Sequence, residues 1–382
     1  MDISYSMLSI IAIVLLVCIG ISFIVNKFLL KNASLFGKNK GGSQVRWAAA
    51  AKPPVGGMSF YAVLVLTILG LSLSFNSDIS WSFVSLFIGV ALPVTVGFFV
   101  GLADDSYNTS PLIKFVGQFS CAGLFILAGV VIPISDNNIL NYWFTVTWVV
   151  GMMNSINMLD NMDGIVSSVS LVSLGLALMI IFSSKNQNMT DIILITAVIG
   201  ALIGFLFFNW NPAKIYMGDT GSQFLGAFLS WVSIQYFWQF RDLATGGFQV
   251  KQFLIPALAF IIPLMDTVTV TLRRLARGVS PFVGGRDHTT HHLAYLGIKD
   301  KNVVRIMIAI SLVSASVVYN IVDVLNSSKW HWTYSLATII FYVTIFFGLQ
   351  YFYEVAKQKI SVPKVKEHEE MMRVEGYDEV LN

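Results

Sequence analysis

Charge is scarce in this sequence. Only 12% of its 382 residues are Asp, Glu, Lys or Arg, against 55% apolar residues, and the formal net charge is +3. That composition excludes the disordered, self-repelling class and leaves no concentrated basic surface for nucleic acid. Cysteine is nearly absent. Cys18 and Cys121 both fall inside apolar stretches, which excludes a disulfide framework and a thiolate metal cluster and leaves two small buried hydrophobes. The chain also lacks the lysine-bearing glycine loop of P-loop NTPases and the HExxH pattern of zinc proteases, so both chemistries are set aside.

What the chain has instead is uncharged apolar length. Mean hydropathy is +0.72, well outside the range of soluble domains. Stretches of about 20 residues, enough to cross a hydrocarbon core of roughly 30 Å, recur along the chain, and in lipid they must be helices because every backbone polar group needs a partner. Eleven such segments are expected, near 6–30, 57–75, 81–102, 111–133, 140–158, 163–183, 191–209, 219–240, 251–272, 302–324 and 332–355. The fold class is therefore all-α, a polytopic membrane helix bundle. The first segment is too long for a signal-peptide core, and no small-residue cleavage site follows it, so it reads as a retained anchor. Residues 1–355 form one integral membrane domain, and 356–382 read as a charged tail.

Sorting the basic residues by alternate loops tests that count. Of 24 Lys and Arg, only Lys185, Arg241, Lys251 and Lys329 fall on one side. The side holding the others is then cytoplasmic, which places the N-terminus outside and the C-terminus inside. All the unusual polar clusters share that cytoplasmic side, whereas the outer connections FNSDIS, ISDNNIL and SSKNQNMT read as plain turns.

Four clusters stand out. In NSINMLDNMDG (154–164), Asn157, Asp160 and Asp163 are spaced three apart, which on a helix gives them one face, and Gly164 admits a close neighbour. A capped helix end is the plainer reading. Capping takes one acid or amide, however, and ionisable groups at a membrane boundary are costly unless they serve a site. In LADD, Asp104 and Asp105 are adjacent carboxylates that repel unless a divalent cation, a shared proton or a lysine such as Lys114 relieves them; a solvated turn is the alternative, and hard oxygen ligands of this kind suit Mg²⁺. NWNPAKIYMGDTGS (209–222) puts Asp219 at the start of a helix, where free N–H groups favour phosphate, unless Asp219 or Thr220 is a simple N-cap. GGRDHTTHHL (284–293) gathers Arg286, Asp287, His288, His291 and His292, three of the five histidines. With no thiolate or helical acid motif nearby, sugar or phosphate recognition fits these better than structural zinc, and a solvated basic loop is the plain reading. Two weaker features are KPPVGG (52–57), which alone marks only a tight turn into a helix, and Asp266, an intramembrane acid that is either functional or paired with Arg273.

In this order, PPVGG, LADD with Lys114, NSINMLDNMDG, NPAKIYMGDTGS, PLMDTVTVTLRRLARGVSPF and GGRDHTTHHL resemble the polyprenyl-phosphate N-acetylhexosamine-1-phosphate transferases, of the glycosyltransferase family 4 type. The resemblance spans about residues 46–297. DHTTHHL and eleven spans favour the branch using UDP-N-acetylglucosamine over the branch transferring phospho-N-acetylmuramoyl-pentapeptide, which stays as the alternative. The resemblance implies transfer of N-acetylhexosamine 1-phosphate from a UDP-aminosugar to undecaprenyl phosphate, releasing UMP, at the cytoplasmic face of a bacterial inner membrane and at the start of cell-surface polysaccharide synthesis. It implies Mg²⁺, with Mn²⁺ as a substitute, on Asp219, Asp104 and Asp105, and it leaves room for a homodimer. Asp104 or Asp105 would deprotonate or orient the lipid phosphate, and Lys114 would offset phosphate charge. Asn157, Asp160 and Asp163 would line the nucleotide pocket, and Arg286, His288, His291 and His292 would read sugar and diphosphate.

The chain departs from the family pattern at Asn108, where many members carry a third acid, and at Asn161, where glycine is common. A basic nucleotide contact before PPVGG has only Arg46 or Lys52 to supply it. Two rivals have specific counter-evidence. An ion-coupled transporter predicts repeated halves with polar sites at mid-membrane, and the acid motifs do not repeat. A CDP-alcohol phosphotransferase needs acids downstream of DNMDG, where VSSVSLVSLGLALMIIF stands.

Overall fold

The computed structural model describes residues 5–32, 52–74, 86–184, 187–240, 249–280, 285–326 and 331–378. Arg46 and residues 81–85 of the third expected segment lie outside that set. Among the described residues there is helix and no strand. The elements are α1 (Tyr5–Lys31), α2 (Gly57–Ser74), α3 (Leu92–Tyr107, entered through a π turn over Phe87–Ala91), α4 (Pro111–Leu127), α5 (Asn138–Leu159), α6 (Ile165–Ser183), α7 (Met189–Asn209), α8 (Gly218–Tyr236), α9 (Val250–Ala259), α10 (Ile261–Ala276), α11 (Thr289–Tyr295), α12 (Asp300–Asn326) and α13 (Trp332–Asp378).

Each expected apolar segment is largely helix in its described part. Six helices among the described residues are long and apolar enough to cross a membrane, or seven when a bent pair counts as one span. The chain is thus a multi-pass membrane protein. α5 and α8 fall outside that count; they carry the polar residues Asn154, Asn157 and Gln223. α8 needs no lipid-facing surface. Every residue from Thr220 to Ile234 is buried, and α2, α3, α5 and α6 all pack against it.

Two local departures from the expected segments have clear causes. α4 stops at Leu127 instead of reaching 133, because Gly129 takes the left-handed conformation at φ 77°. Val130 N–H then bonds Phe125 C=O and Gly129 N–H bonds Ile126 C=O, a Schellman termination that satisfies the last carbonyls. The ninth segment, expected as one span, is broken: α9 and α10 meet at 95°. Pro263 has no N–H to offer Ala259 C=O four residues back. Ser173 Oγ donates to that carbonyl instead, at 2.7 Å, and Ser314 Oγ donates to Leu258 C=O at 2.8 Å. Hydroxyls from α6 and α12 therefore replace the lost backbone bonds, which is how a break is tolerated at membrane depth. Farther along, α13 continues unbroken through residue 356, where the tail was expected to begin.

Close approach to the central helix depends on missing side chains. A Cβ on Gly57 would lie 2.2 Å from the Gly221 backbone nitrogen, and one on Gly101 would lie 2.1 Å from Asp219 C=O. These contacts bring α2 and α3 backbone-to-backbone with the first turn of α8. The loop before α2 joins the same place. Gly56 N–H and Gly57 N–H bond Tyr216 C=O and Met217 C=O, and Tyr216 N–H bonds Pro53 C=O, so KPPVGG is a docking segment and not only a tight turn.

Candidate active site

Gly101 sits one helical turn before Asp104, so its close packing delivers both aspartates of LADD to the start of α8. They do different things there. Asp104 is buried; it accepts from Thr109 Oγ1 at 2.6 Å and pairs with Lys114. Lys114 Nζ also lies 2.8 Å from Asp219 Oδ2, while Asn157 Nδ2 donates to Asp219 Oδ1 at 2.8 Å and to Ser222 Oγ at 2.9 Å. One ammonium therefore bridges two carboxylates drawn from α3 and α8, with an amide from α5 completing the group.

Asp105 turns the other way. Its Oδ1 accepts from Asp219 N–H at 3.0 Å, and its Oδ2 accepts from Thr220 N–H at 2.8 Å and Thr220 Oγ1 at 2.6 Å. α8 begins without a side-chain cap of its own, and Asp105 supplies one from another helix. The first-turn N–H groups of residues 219 and 220, expected to receive phosphate, hold a protein carboxylate. Asp105, expected as a metal ligand, has both oxygens committed to α8.

Among the described residues no group of three or more His, Cys, Asp or Glu side chains is arranged to hold a metal ion. The donor chemistry that remains still suits Mg²⁺, which commonly takes one or two carboxylates and completes its shell with water and substrate phosphate. Asp104 and Asp219 converge on one cation already, the Lys114 ammonium.

The central motif does not form one helical face. α5 ends at Leu159, Asp160 is its C-cap, and Gly164 turns the chain at φ 77°. Asn157 thus reaches Asp219, whereas Asp163 accepts from Ala213 N–H at 2.8 Å and lies 3.7 Å from Lys52 Nζ. Lys52 also sits over the Tyr216 ring, 5.2 Å from its centroid. Asn161, at the position where glycine is common, accepts from Thr290 Oγ1 at 2.8 Å and so ties this loop to α11. Asn108 terminates α3 in the left-handed region at φ 50°, a backbone role that asparagine fills readily.

The histidine motif divides as well. Asp266 pairs with His288 Nδ1 at 2.7 Å and accepts from Thr289 N–H at 2.8 Å; it does not pair with Arg273, which lies over the Tyr353 ring at 3.5 Å. Burial, aided by the adjacent His288, pushes His291 down to about 4. Burial and then the Arg273 guanidinium push His292 down to about 4. Burial alone would raise the Asp287 carboxyl, but Arg274, bonded to it at 2.9 and 2.6 Å, prevails and holds it below the usual carboxylate range.

Lys52, Asp104, Asp105, Lys114, Asn157, Asp160, Asp163, Asp219, His288 and His291 all line one cavity of about 1390 Å³. Arg286 and His292 stand outside that lining, and His292 instead packs edge-on against Tyr353 with ring centroids 4.4 Å apart. The cavity has a second, apolar limb bounded by Phe144, Trp148, Trp238, Phe253, Leu264 and Val268. Phe144 stands thirteen positions before Asn157 on α5, about 20 Å away along the helix axis. Sequence reading missed Thr109, Arg274 and Tyr216, and offered Thr220 only as an N-cap; the only sequence signal for the first three was proximity to the motifs.

Residues 86–237 match glycosyl transferase family 4. The chain is 26% identical over 304 residues, 77% of its length and 78% of the relative's, to the probable undecaprenyl-phosphate N-acetylglucosaminyl 1-phosphate transferase of Bacillus subtilis. It is 30% identical over 209 residues, 50% of its length and 64% of the relative's, to the phospho-N-acetylmuramoyl-pentapeptide-transferase of Listeria innocua. With the decaprenyl-phosphate N-acetylglucosaminephosphotransferase of Mycolicibacterium smegmatis it shares 28% identity over 219 residues, 52% of its length and 54% of the relative's. The resemblance read from the motifs is borne out by these matches.

Proposed function

We propose that this chain, which is similar to glycosyl transferase family 4 over residues 86–237, transfers N-acetylhexosamine 1-phosphate, most simply N-acetylglucosamine 1-phosphate, from a UDP-sugar to undecaprenyl phosphate. The observation that carries this reading is the single cavity that joins a charged group to an apolar limb. A soluble nucleotide sugar and a lipid-tethered phosphate need that combination. The apolar limb accepts the first isoprene units, while the charged end gathers the phosphates.

In the reaction, an oxygen of the lipid phosphate attacks the sugar-bearing phosphorus of the UDP-sugar. The bond to the bridging oxygen breaks, and UMP leaves with the electron pair. Two anions must approach each other, so positioning and charge neutralisation are most of the catalysis. Lys114 would offset phosphate charge. Asp104 and Asp219 would hold Mg²⁺, which supplies a further positive charge for the phosphate oxygens. A phosphate monoester has its second pKa near 6 and is largely dianionic at neutral pH, so an aspartate base is not required. Lys52, Asp160 and Asp163 would face the nucleotide, and His288 and His291 the sugar and diphosphate. On this reading the eleven apolar segments would all cross the membrane, the loop charges support an outside N-terminus with the charged end of the cavity at the cytoplasmic face, and the family resemblance implies a bacterial inner membrane.

The test is purified protein with Mg²⁺, undecaprenyl phosphate and a panel of donors including UDP-N-acetylglucosamine and UDP-N-acetylmuramoyl-pentapeptide. UMP release with an N-acetylhexosamine donor is expected. Release of UDP would mean glycosyl transfer and overturn the reading, and turnover of the pentapeptide donor alone would move the chain to the other branch.

A further inference from the structure

Beneath the charged group lies a second polar layer. Gln118 is one helical turn below Lys114 on α4, Gln223 one turn below Asp219 on α8, and Asn154 one turn below Asn157 on α5. Their amides join. Gln118 Nε2 donates to Asn154 Oδ1 at 3.2 Å and to Gln223 Oε1 at 3.1 Å, and Asn154 Nδ2 returns a bond to Gln118 Oε1 at 2.8 Å. Gln118 and Gln223 are 0% and 1% exposed, and neither is among the cavity's lining residues.

We propose that this amide ring is a positioning device, setting the separation of Lys114, Asn157 and Asp219 before substrate arrives; it rests on the transferase reading and deepens it. Buried amides without partners are costly, so rotation or sliding of α4, α5 or α8 relative to the others breaks bonds in the ring. The same three helices carry the charged layer one turn above. Fixing the lower layer therefore fixes the upper one, where Lys114 and Asn157 each meet Asp219 at 2.8 Å. Without the ring, Lys114 and the two carboxylates could still attract one another, but with no enforced geometry. Preorganisation of that kind acts on the rate of the chemical step more than on substrate affinity.

Gln118 makes all three ring bonds and Gln223 only one, so the effects should be graded. Gln118→Met keeps length and removes every amide bond. It is expected to lower kcat by about 10- to 100-fold with KM for the UDP-sugar within about threefold, since small misplacements cost rates of that order. Gln223→Met should cost less and remains usable if Gln118→Met does not fold. Amounts of folded protein, from size exclusion in detergent, normalise both. Unchanged kcat per folded molecule, or a loss carried by KM, would overturn the proposal. A second readout needs no turnover: melting temperatures of Gln118→Met, Lys114→Met and the double variant. Non-additive losses are expected because the layers are coupled, and simple additivity would defeat the proposal whatever the activity. An active set of Gln variants refutes only the ring, whereas a wild-type protein inactive with every donor refutes the transferase reading and leaves the coupling measurement to judge the ring.

Discussion

Asp105 receives both the backbone N–H and the hydroxyl of Thr220, at 2.8 and 2.6 Å, across 115 positions of sequence. A carboxylate from α3 thereby caps α8 and holds its first turn where Asp219 meets Lys114. The two aspartates of LADD, indistinguishable by composition, differ in task because successive helical residues point about 100° apart.

Removing that cap should be severe. Asp105→Ala leaves three donors without their acceptor, each loss worth about 1–3 kcal/mol when buried, and is expected to lower the melting temperature and abolish UMP release. Thr220→Val loses one bond and should retain about a tenth or more of wild-type turnover. Equal losses in the two variants would show that the Thr220 hydroxyl bond, and not the three-bond cap, carries the effect.

Asp219 stands at the meeting point of Lys114, Asn157 and the α8 first turn. Asp219→Asn removes the charge but keeps the shape, so turnover should vanish while membrane insertion and elution volume stay normal. Near-normal rates would remove this residue from the charged machinery.

His288 and Asp266 act as one unit if the 2.7 Å contact between them orients the imidazole toward the cavity. Asp266→Asn and His288→Ala should each lower kcat/KM, and the double variant should be little worse than His288→Ala alone. Additive losses in this double-mutant cycle would mean the two residues work separately.

The histidines of α11 give a pH dependence with a definite sign. His291 and His292 are both held down to about 4, whereas an unfolded histidine titrates near 6.5. The unfolded chain therefore binds more protons between those values. Their stabilising contribution is complete above about 6.5 and is lost as pH falls toward about 4. Melting temperature should drop across that window, and His292→Phe, which keeps a ring against Tyr353, should make the drop shallower. A slope unchanged by the substitution would assign the acid sensitivity elsewhere.

Much of this was legible in the sequence, because apolar length imposes helices in lipid and acids at membrane boundaries stand out against it. The helical segments, the membrane class and the motifs that line one cavity are all properties of local composition. The failures are instructive in the same terms. Asn157, Asp160 and Asp163 have helical spacing, but the helix ends at Leu159 between the first two, so Asn157 and Asp163 reach different partners. Asp266 has Arg273 within two turns, yet its partner is His288, on a segment that only the bundle brings near. KPPVGG looked weak because its bonds are backbone bonds, to which side-chain pattern is blind.

Composition and spacing by themselves determined that this chain folds as membrane helices and which polar residues had to be spared from lipid. The packing of α2, α3, α5 and α6 around α8, which α4 reaches through Lys114 and Gln118, alone decided how those residues divide the work, making Asp105 a cap, Lys114 a bridge and Gln118 part of a buried ring. The reason is physical: burial and backbone satisfaction are local demands that any stretch of chain states openly, whereas the partner of a side chain depends on which helix faces it and at what rotation.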